Sequence, residues 1–390
     1  MFHLIIIIRN WLRERWAGIS PETRQILLLL LVTRIALWLV ALISYQLVSP
    51  FHPRADAMQR WPYPHSLWLQ VWCAWDSGWY LDIARHGYSL QTHPPGALNT
   101  NYGFFPLYPL LIRLLSLVVR SDALAGVLIS NGGLAIACVY LFKLTRLDHD
   151  RETALRAVKY FVLFPTAFVL SAVLTESLFT ALAILCLYAA RRERWAVAGA
   201  LGFLVALTRP NGIFLLAPVL WIYLRQKQFH LNRIRFDALF MALIPLGLAC
   251  LAFYDYYRTG DPLAYAHAQA AGWGHHLTNP LAVLFAGMAS GQIDQSISAW
   301  FGAAALALLI IRFDKLRMEY WLYAAGIILL PLMAATVLGL PRYLATLFPL
   351  AIVLSQSDRR PGVDRAITLI FALLQGCFLL FWTNGYLFMS

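Results

Sequence analysis

About eleven apolar runs, each bounded by charge or by a Pro/Gly turn, govern what this chain can fold into, because runs of this length and character cross a bilayer as helices. They lie near residues 26–48, 123–142, 157–173, 176–190, 195–208, 212–224, 237–256, 298–311, 319–338, 342–356 and 365–383. At 60% hydrophobic and 13% charged residues, the 390-residue chain falls outside the range of soluble domains. The expected architecture is an all-α polytopic membrane protein forming one integral-membrane domain over 1–390. Basic residues test the count. Alternation from a cytosolic N-terminus puts Arg9/Arg13/Arg15/Arg24, Lys143/Arg146/Arg151/Arg156/Lys159, Arg191/Arg192/Arg194, Arg225/Lys227/Arg233/Arg235, Arg312/Lys315/Arg317 and Arg359/Arg360/Arg365 inside, 22 of the 31 Lys and Arg. Outside remain Arg54, Arg60, Arg85, Arg113, Arg120, Arg209, Arg258 and Arg342, with Arg34 inside the first span. The positive-inside bias is met at every loop, so the net charge of +12 reports topology and not a nucleic-acid partner.

The basic segment Met1 to Trp16 reads as a retained cytosolic tail, not a signal peptide. Five scattered cysteines supply neither a disulfide framework nor a CxxC site. Adjacent His275 and His276 lack metal-ligand spacing, so no dedicated metal site and no cofactor are expected. Neither a P-loop nor a dinucleotide-binding glycine fingerprint occurs.

Two long outer loops are expected, at about 49–122 and 257–297. Phe104 to Val119 is apolar enough to span, but counting it would put the Lys143 to Lys159 cluster outside. It is therefore read as a helix lying at the outer interface. The runs 176–190, 195–208 and 212–224 fall short of the roughly twenty residues that cross the hydrocarbon core. Their outer turns should sit below the membrane surface, where charge and irregular backbone are tolerated only beside a cavity. Glu176, Arg209, Asn211 and Arg342 are thus candidates for one outward-facing cavity roofed by the first loop.

Within that loop, Trp75-Asp76-Ser77-Gly78-Trp79-Tyr80 sets an acid among aromatics. Asp76 can be a helix N-cap, with Gly87 as the C-terminal stop, or a general base at the membrane edge. Asp82 is accounted for by local pairing with Arg85 and His86. With so few acids in the loop, hydrolysis of an ordinary glycosidic bond, which needs a second carboxyl, is disfavoured. A phosphate leaving group needs positive charge instead, and Arg209 and Arg342, each beside a proline, are the candidates. Arg209-Pro210-Asn211-Gly212 has turn chemistry, and Thr175-Glu176-Ser177 reads as a hairpin tip with Thr175 as a cap. Trp61, Trp68, Trp72, Trp75 and Trp79 form an interfacial belt, or Trp75 and Trp79 stack on sugar. Arg34 is expected to find an internal acceptor or to reach the cytosolic side.

Taken in order, Trp75-Asp76-Ser77-Gly78-Trp79-Tyr80, Ile83-Ala84 with Gly87-Tyr88, Phe104-Phe105-Pro106-Leu107-Tyr108-Pro109, Thr175-Glu176-Ser177-Leu178-Phe179, Arg209-Pro210-Asn211-Gly212 and Pro341-Arg342-Tyr343 resemble the PIG-V mannosyltransferase family and its prokaryotic relatives. Asp261-Pro262-Leu263, followed by Gln269 and Trp273, is similar to the second outer loop of those relatives. The resemblance runs from about 70 to 350. Ser77-Gly78 departs from the aromatic or hydroxyl-rich variant usual in the family and leaves the acid in place.

The resemblance implies a GT-C glycosyltransferase fold and inverting transfer of a sugar, mannose above others, from a polyprenyl- or dolichyl-phosphate donor to a lipid or glycan acceptor on the non-cytosolic face of a prokaryotic plasma membrane. Asp76 would be the base, with Arg209 and Arg342 on the donor phosphate. Glu176, Asn211, Trp75, Trp79, Gln269 and Trp273 would hold sugar or acceptor. The rivals are a lipid-linked-sugar transporter or flippase and a non-catalytic assembly subunit. A transporter is disfavoured because the candidate polar residues all fall on one side, with no matched set on the cytosolic half.

Overall fold

The computed structural model describes residues 18–48, 61, 64, 66–91, 100–356 and 361–385. The tail Met1 to Trp16, Arg54, Arg60, Arg359 and Arg360, which charge sidedness places, lie outside the described residues.

Helices account for the regular structure of the described residues, and no strand occurs among them. In chain order they are α1 (Pro21–Val48), α2 (Ser77–His86), α3 (Leu107–Val119), α4 (Asp122–Thr145), α5 (Arg151–Leu163), α6 (Glu176–Arg191), α7 (Trp195–Ala206), α8 (Leu216–Gln226), α9 (Leu243–Thr259), α10 (Ala264–Trp273), α11 (Pro280–Met288), α12 (Ile293–Ile311), α13 (Met318–Met333), α14 (Leu340–Ala345), α15 (Phe348–Gln356) and α16 (Pro361–Thr383). Each expected run coincides with helical structure. Among the described residues five helical stretches are long and apolar enough to cross a membrane: α1, α4, α9 with its lead-in from Phe236, α12 and α16. The protein is an integral membrane protein whose shorter helices pack between these five.

Two runs read as continuous are broken where they meet. The run 157–173 ends its α-helix at Leu163, passes through Phe164-Pro165-Thr166 and resumes as a 3-10 turn over Ala167–Ser171. A proline there cannot extend the preceding ladder. The run 342–356 divides into α14 and α15. Thr166 Oγ1 donates to Pro341 O at 2.7 Å, joining the two interruptions. Interrupted backbone inside a bilayer protein needs internal partners. Arg34 supplies them, donating to Ala167 O, Ser171 Oγ and Val162 O at 3.0–3.3 Å. Gln375 donates to Val162 O and Phe164 O. Arg34 therefore takes the internal-acceptor option and caps carbonyls that the broken helix leaves open.

The sequence argument that no matched polar set lies on the cytosolic half does not hold. Asp148, Arg191, Arg317 and the fully buried Glu319 form a second ionic cluster at the opposite ends of the helices. Arg191 grips Asp148 with both terminal nitrogens, at 2.8 and 2.9 Å. The sequence hid this cluster because its members are spread over the turns after α4, after α6 and before α13.

Candidate active site

Asp76 and Glu176, a hundred positions apart, are brought together by backbone. Val173 N donates to Trp72 O at 3.0 Å, tying the first loop to the irregular stretch that leads into α6. Ser77 Oγ donates to Ala74 O at 2.7 Å and accepts from Ala74 N, closing the turn around Asp76. Trp75 has a φ of 54° there, a left-handed conformation that costs a bulky residue energy and directs the chain toward the cavity. Gly78 is needed for space, since a Cβ would lie 2.3 Å from the Trp61 ring.

Asp76 occupies the N-cap position of α2 but makes no side-chain cap bond. Its Oδ2 accepts instead from Arg342 Nη1 at 2.8 Å. Arg342 turns its other edge to Glu176, with Nε and Nη2 at 3.0 and 2.9 Å from Oε1. Arg209 Nη1 lies 2.8 Å from the same oxygen, as an ion pair off the line of a hydrogen bond. Arg209 also sits over the Tyr343 ring, 4.5 Å from its centre. Three of the four residues expected to share a cavity, Glu176, Arg209 and Arg342, thus join Asp76 in one chain, Asp76–Arg342–Glu176–Arg209, while Asn211 is not part of it. Glu176 is fully buried, the arginines nearly so, and Asp76 keeps 29% of its side chain open.

Within this centre Glu176 Oε2, Ser177 Oγ, Arg209 Nη1 and both side-chain polar atoms of Asn211 are among the buried groups with no hydrogen-bond partner among the described residues. Buried groups of this kind are costly to leave unsatisfied. The expected Thr175 cap bond is not formed either.

The profile of the family described as Mannosyltransferase (PIG-V) matches residues 23–266. The chain belongs to this family. Among solved structures, ArnT from Cupriavidus metallidurans bound to undecaprenyl phosphate is similar at 14% identity and a TM-score of 0.53, covering 91% of this chain and 64% of ArnT. The chain thus spans less than two thirds of ArnT. The apo Archaeoglobus fulgidus oligosaccharyltransferase is similar at 14% identity and a TM-score of 0.44, covering 92% of this chain and 56% of the other. No curated protein is matched. At this identity the likeness to ArnT shows a shared fold.

In this PIG-V family member the remaining candidates stand apart from the ionic chain. Trp79 is buried, its ring stacked on Phe104 at 5.4 Å and edged by Trp61 and Trp273, so neither face is open to a sugar. Gln269 spends its amide on Gly103 O at 2.7 Å, and Trp273 packs on Phe104, so the second outer loop is clasped to the first. Asp82 accepts from Asn101 Nδ2 at 2.9 Å and pairs with His86, whereas Arg85 reaches Asp122 instead. The sequence reading gave no role to Tyr80 and Tyr265, both of which lie within electrostatic reach of Arg209. It weighed His275 only as a metal ligand. Burial lowers the His275 pKa while Asp76, within reach, pulls the other way. The aromatic run around Asp76 was the one available signal for Tyr80.

Proposed function

We propose that the protein transfers a sugar, mannose by its family, from a polyprenyl-phosphate donor to a lipid or glycan hydroxyl on the non-cytosolic face, with inversion. The observation that carries this reading is the bridging of Asp76 and Glu176 by Arg342, with Arg209 alongside. Arg342 engages only Oδ2 of Asp76, which leaves Oδ1 to accept the proton of an acceptor hydroxyl as its oxygen attacks the anomeric carbon. The bond from that carbon to the donor phosphate breaks on the opposite side, and the phosphate carries the electron pair away. A phosphate needs no proton to leave. It needs positive charge, and the guanidinium N–H groups that Glu176 and Asp76 do not use are aimed to provide it. Glu176 is the positioning residue that holds both arginines. Asn211, with its unused donor and acceptor, and Trp75 are assigned to sugar or acceptor hydroxyls. ArnT bound to undecaprenyl phosphate shares the fold and supports the choice of a lipid-phosphate donor. The roles given to the residues require no metal.

The test is transfer from radiolabelled polyprenyl-phosphate-mannose by the purified protein, with a membrane lipid extract as the acceptor source. Asp76→Asn keeps the shape and removes the base. Transfer is expected to fall by ~10² or more, in line with loss of general-base catalysis. Unaltered transfer by the variant overturns the role of Asp76, and no transfer by wild type with mannose, glucose or arabinose donors overturns the reading.

A further inference from the structure

Beneath the first outer loop, on the side away from the ionic chain, lies a cavity of about 350 Å³. Ile83 and Gly87 at the end of α2, Leu110 and Arg113 on α3, and Leu251 and Tyr254 on α9 form its wall. Apart from Arg113, this wall carries no charge. Its volume falls within the range of small-molecule and lipid-chain sites.

The cavity lies beside two exposed apolar helix faces. On α3, Leu110, Leu114, Leu117 and Val118 are all half or more exposed. On α9, Leu246, Phe253 and Tyr257 are exposed likewise. Helical spacing puts Arg113 on the same α3 face as Leu110 and Leu117. In a membrane protein this surface meets lipid, and Arg113 is a charge among apolar neighbours at the mouth of an apolar cavity. Of the described arginines expected outside, Arg85 pairs with Asp122, Arg258 with Tyr102, and Arg209 and Arg342 with Glu176, while Arg120, at the C-terminal end of α3, does not line the cavity. The Arg113 guanidinium has no hydrogen-bond or ion-pair partner among the described residues. Arg113 is exposed beside the mouth of this cavity, and its forked donor fits a phosphate.

We propose that this cavity binds an anionic glycerophospholipid from the surrounding leaflet, one hydrocarbon chain inside and its phosphate on Arg113. The site is separate from the reacting groups. Leu107 N donates to Leu207 O at 3.1 Å, and this junction stands between the cavity, which Leu207 lines, and Arg209 two residues on. A lipid here fills the space under α3 and fixes the start of the turn that carries Arg209.

Cys250 lines the cavity and is exposed, so its reaction with a maleimide reports occupancy without any need for transfer activity. The protein carries Cys377→Ser, leaving Cys250 as the exposed thiol, and is labelled in nanodiscs of phosphatidylcholine with or without phosphatidylglycerol. Phosphatidylglycerol is expected to slow Cys250 labelling about tenfold, what one charge-assisted hydrogen bond is worth, and Arg113→Ala to abolish the difference. Arg113→Lys should retain part of it, and melting curves confirm that the variants are folded. Equal labelling in the two lipids overturns the proposal, as does protection that persists in Arg113→Ala. Protection by polyprenyl phosphate in phosphatidylcholine, with none from phosphatidylglycerol, also overturns it by assigning the cavity to the donor.

Discussion

At the scale of single residues, Arg342 decides how the centre is built. Its planar guanidinium reaches two carboxylates at once, which a lysine ammonium on a flexible stem cannot do with the same geometry. Arg342→Lys therefore keeps the charge but releases either Asp76 or Glu176. Transfer is expected to fall by ~10²-fold, the typical cost of one misplaced electrostatic group, with most of the loss in kcat. Steady-state kinetics with labelled donor check this, and a pure KM effect contradicts it. Glu176 answers a different question. Removing the charge of a fully buried carboxylate that balances two arginines leaves those cations uncompensated, so Glu176→Gln should lower stability by about 3 kcal/mol. Denaturant titration of both proteins in one detergent measures it, and equal stability would show that the arginines find other partners.

At the scale of elements, the turn that carries Arg209 was legible as a turn but not for its physical reason. Pro210-Asn211-Gly212 has turn chemistry, but no residue of it takes a positive φ. Gly212 is required because a Cβ would stand 2.5–2.7 Å from the backbone of Val205 and Ala206. Backbone atoms of a packed helix cannot step aside as a side chain can. Gly212→Ala should cost about 1–3 kcal/mol as overpacking and push Arg209 off Glu176, lowering transfer as well. A variant with wild-type melting and kinetics would refute this account. The same limit explains what else was read and missed. Spacing and charge sidedness located α4, α6 and α12 because periodicity and positive-inside bias are local signals. They could not reveal the break at Phe164-Pro165-Thr166, which depends on Arg34 and Gln375 arriving from α1 and α16. Asp76, Glu176, Arg209 and Arg342 were legible as candidates because each stands beside an outer turn. That Trp79 and Gln269 would be consumed by the packing of one outer loop on the other was not legible, because that contact joins residues more than 160 positions apart.

At the scale of the whole molecule, two ionic clusters lie at opposite ends of one apolar body, and they respond differently to perturbation. In the cluster around Asp148 burial disfavours the carboxylate, but Arg191 and Arg317 outweigh it and hold its pKa below the ordinary value. A depressed carboxyl stabilises the native state above the unfolded pKa of about 4, and that stabilisation is lost as pH falls through the lower native value. Melting temperature should therefore drop on acidification below about pH 4, and Asp148→Asn should flatten that part of the profile. The cluster also bears on the rival transporter reading, since a transport route would have to connect it with Arg342. Between them Tyr323 and Phe348 are buried and packed with ring centres 4.8 Å apart, and Tyr323 donates to Thr346 O, four residues beyond Arg342. That packing fills space between the two clusters. Glu319→Gln should then lower stability by about 3 kcal/mol, because Arg191 and Arg317 lose a buried partner, while sugar transfer per folded molecule stays at the wild-type level. In a transporter both clusters would be needed for turnover. Loss of activity in folded Glu319→Gln, together with donor movement across sealed vesicles, would therefore decide for transport.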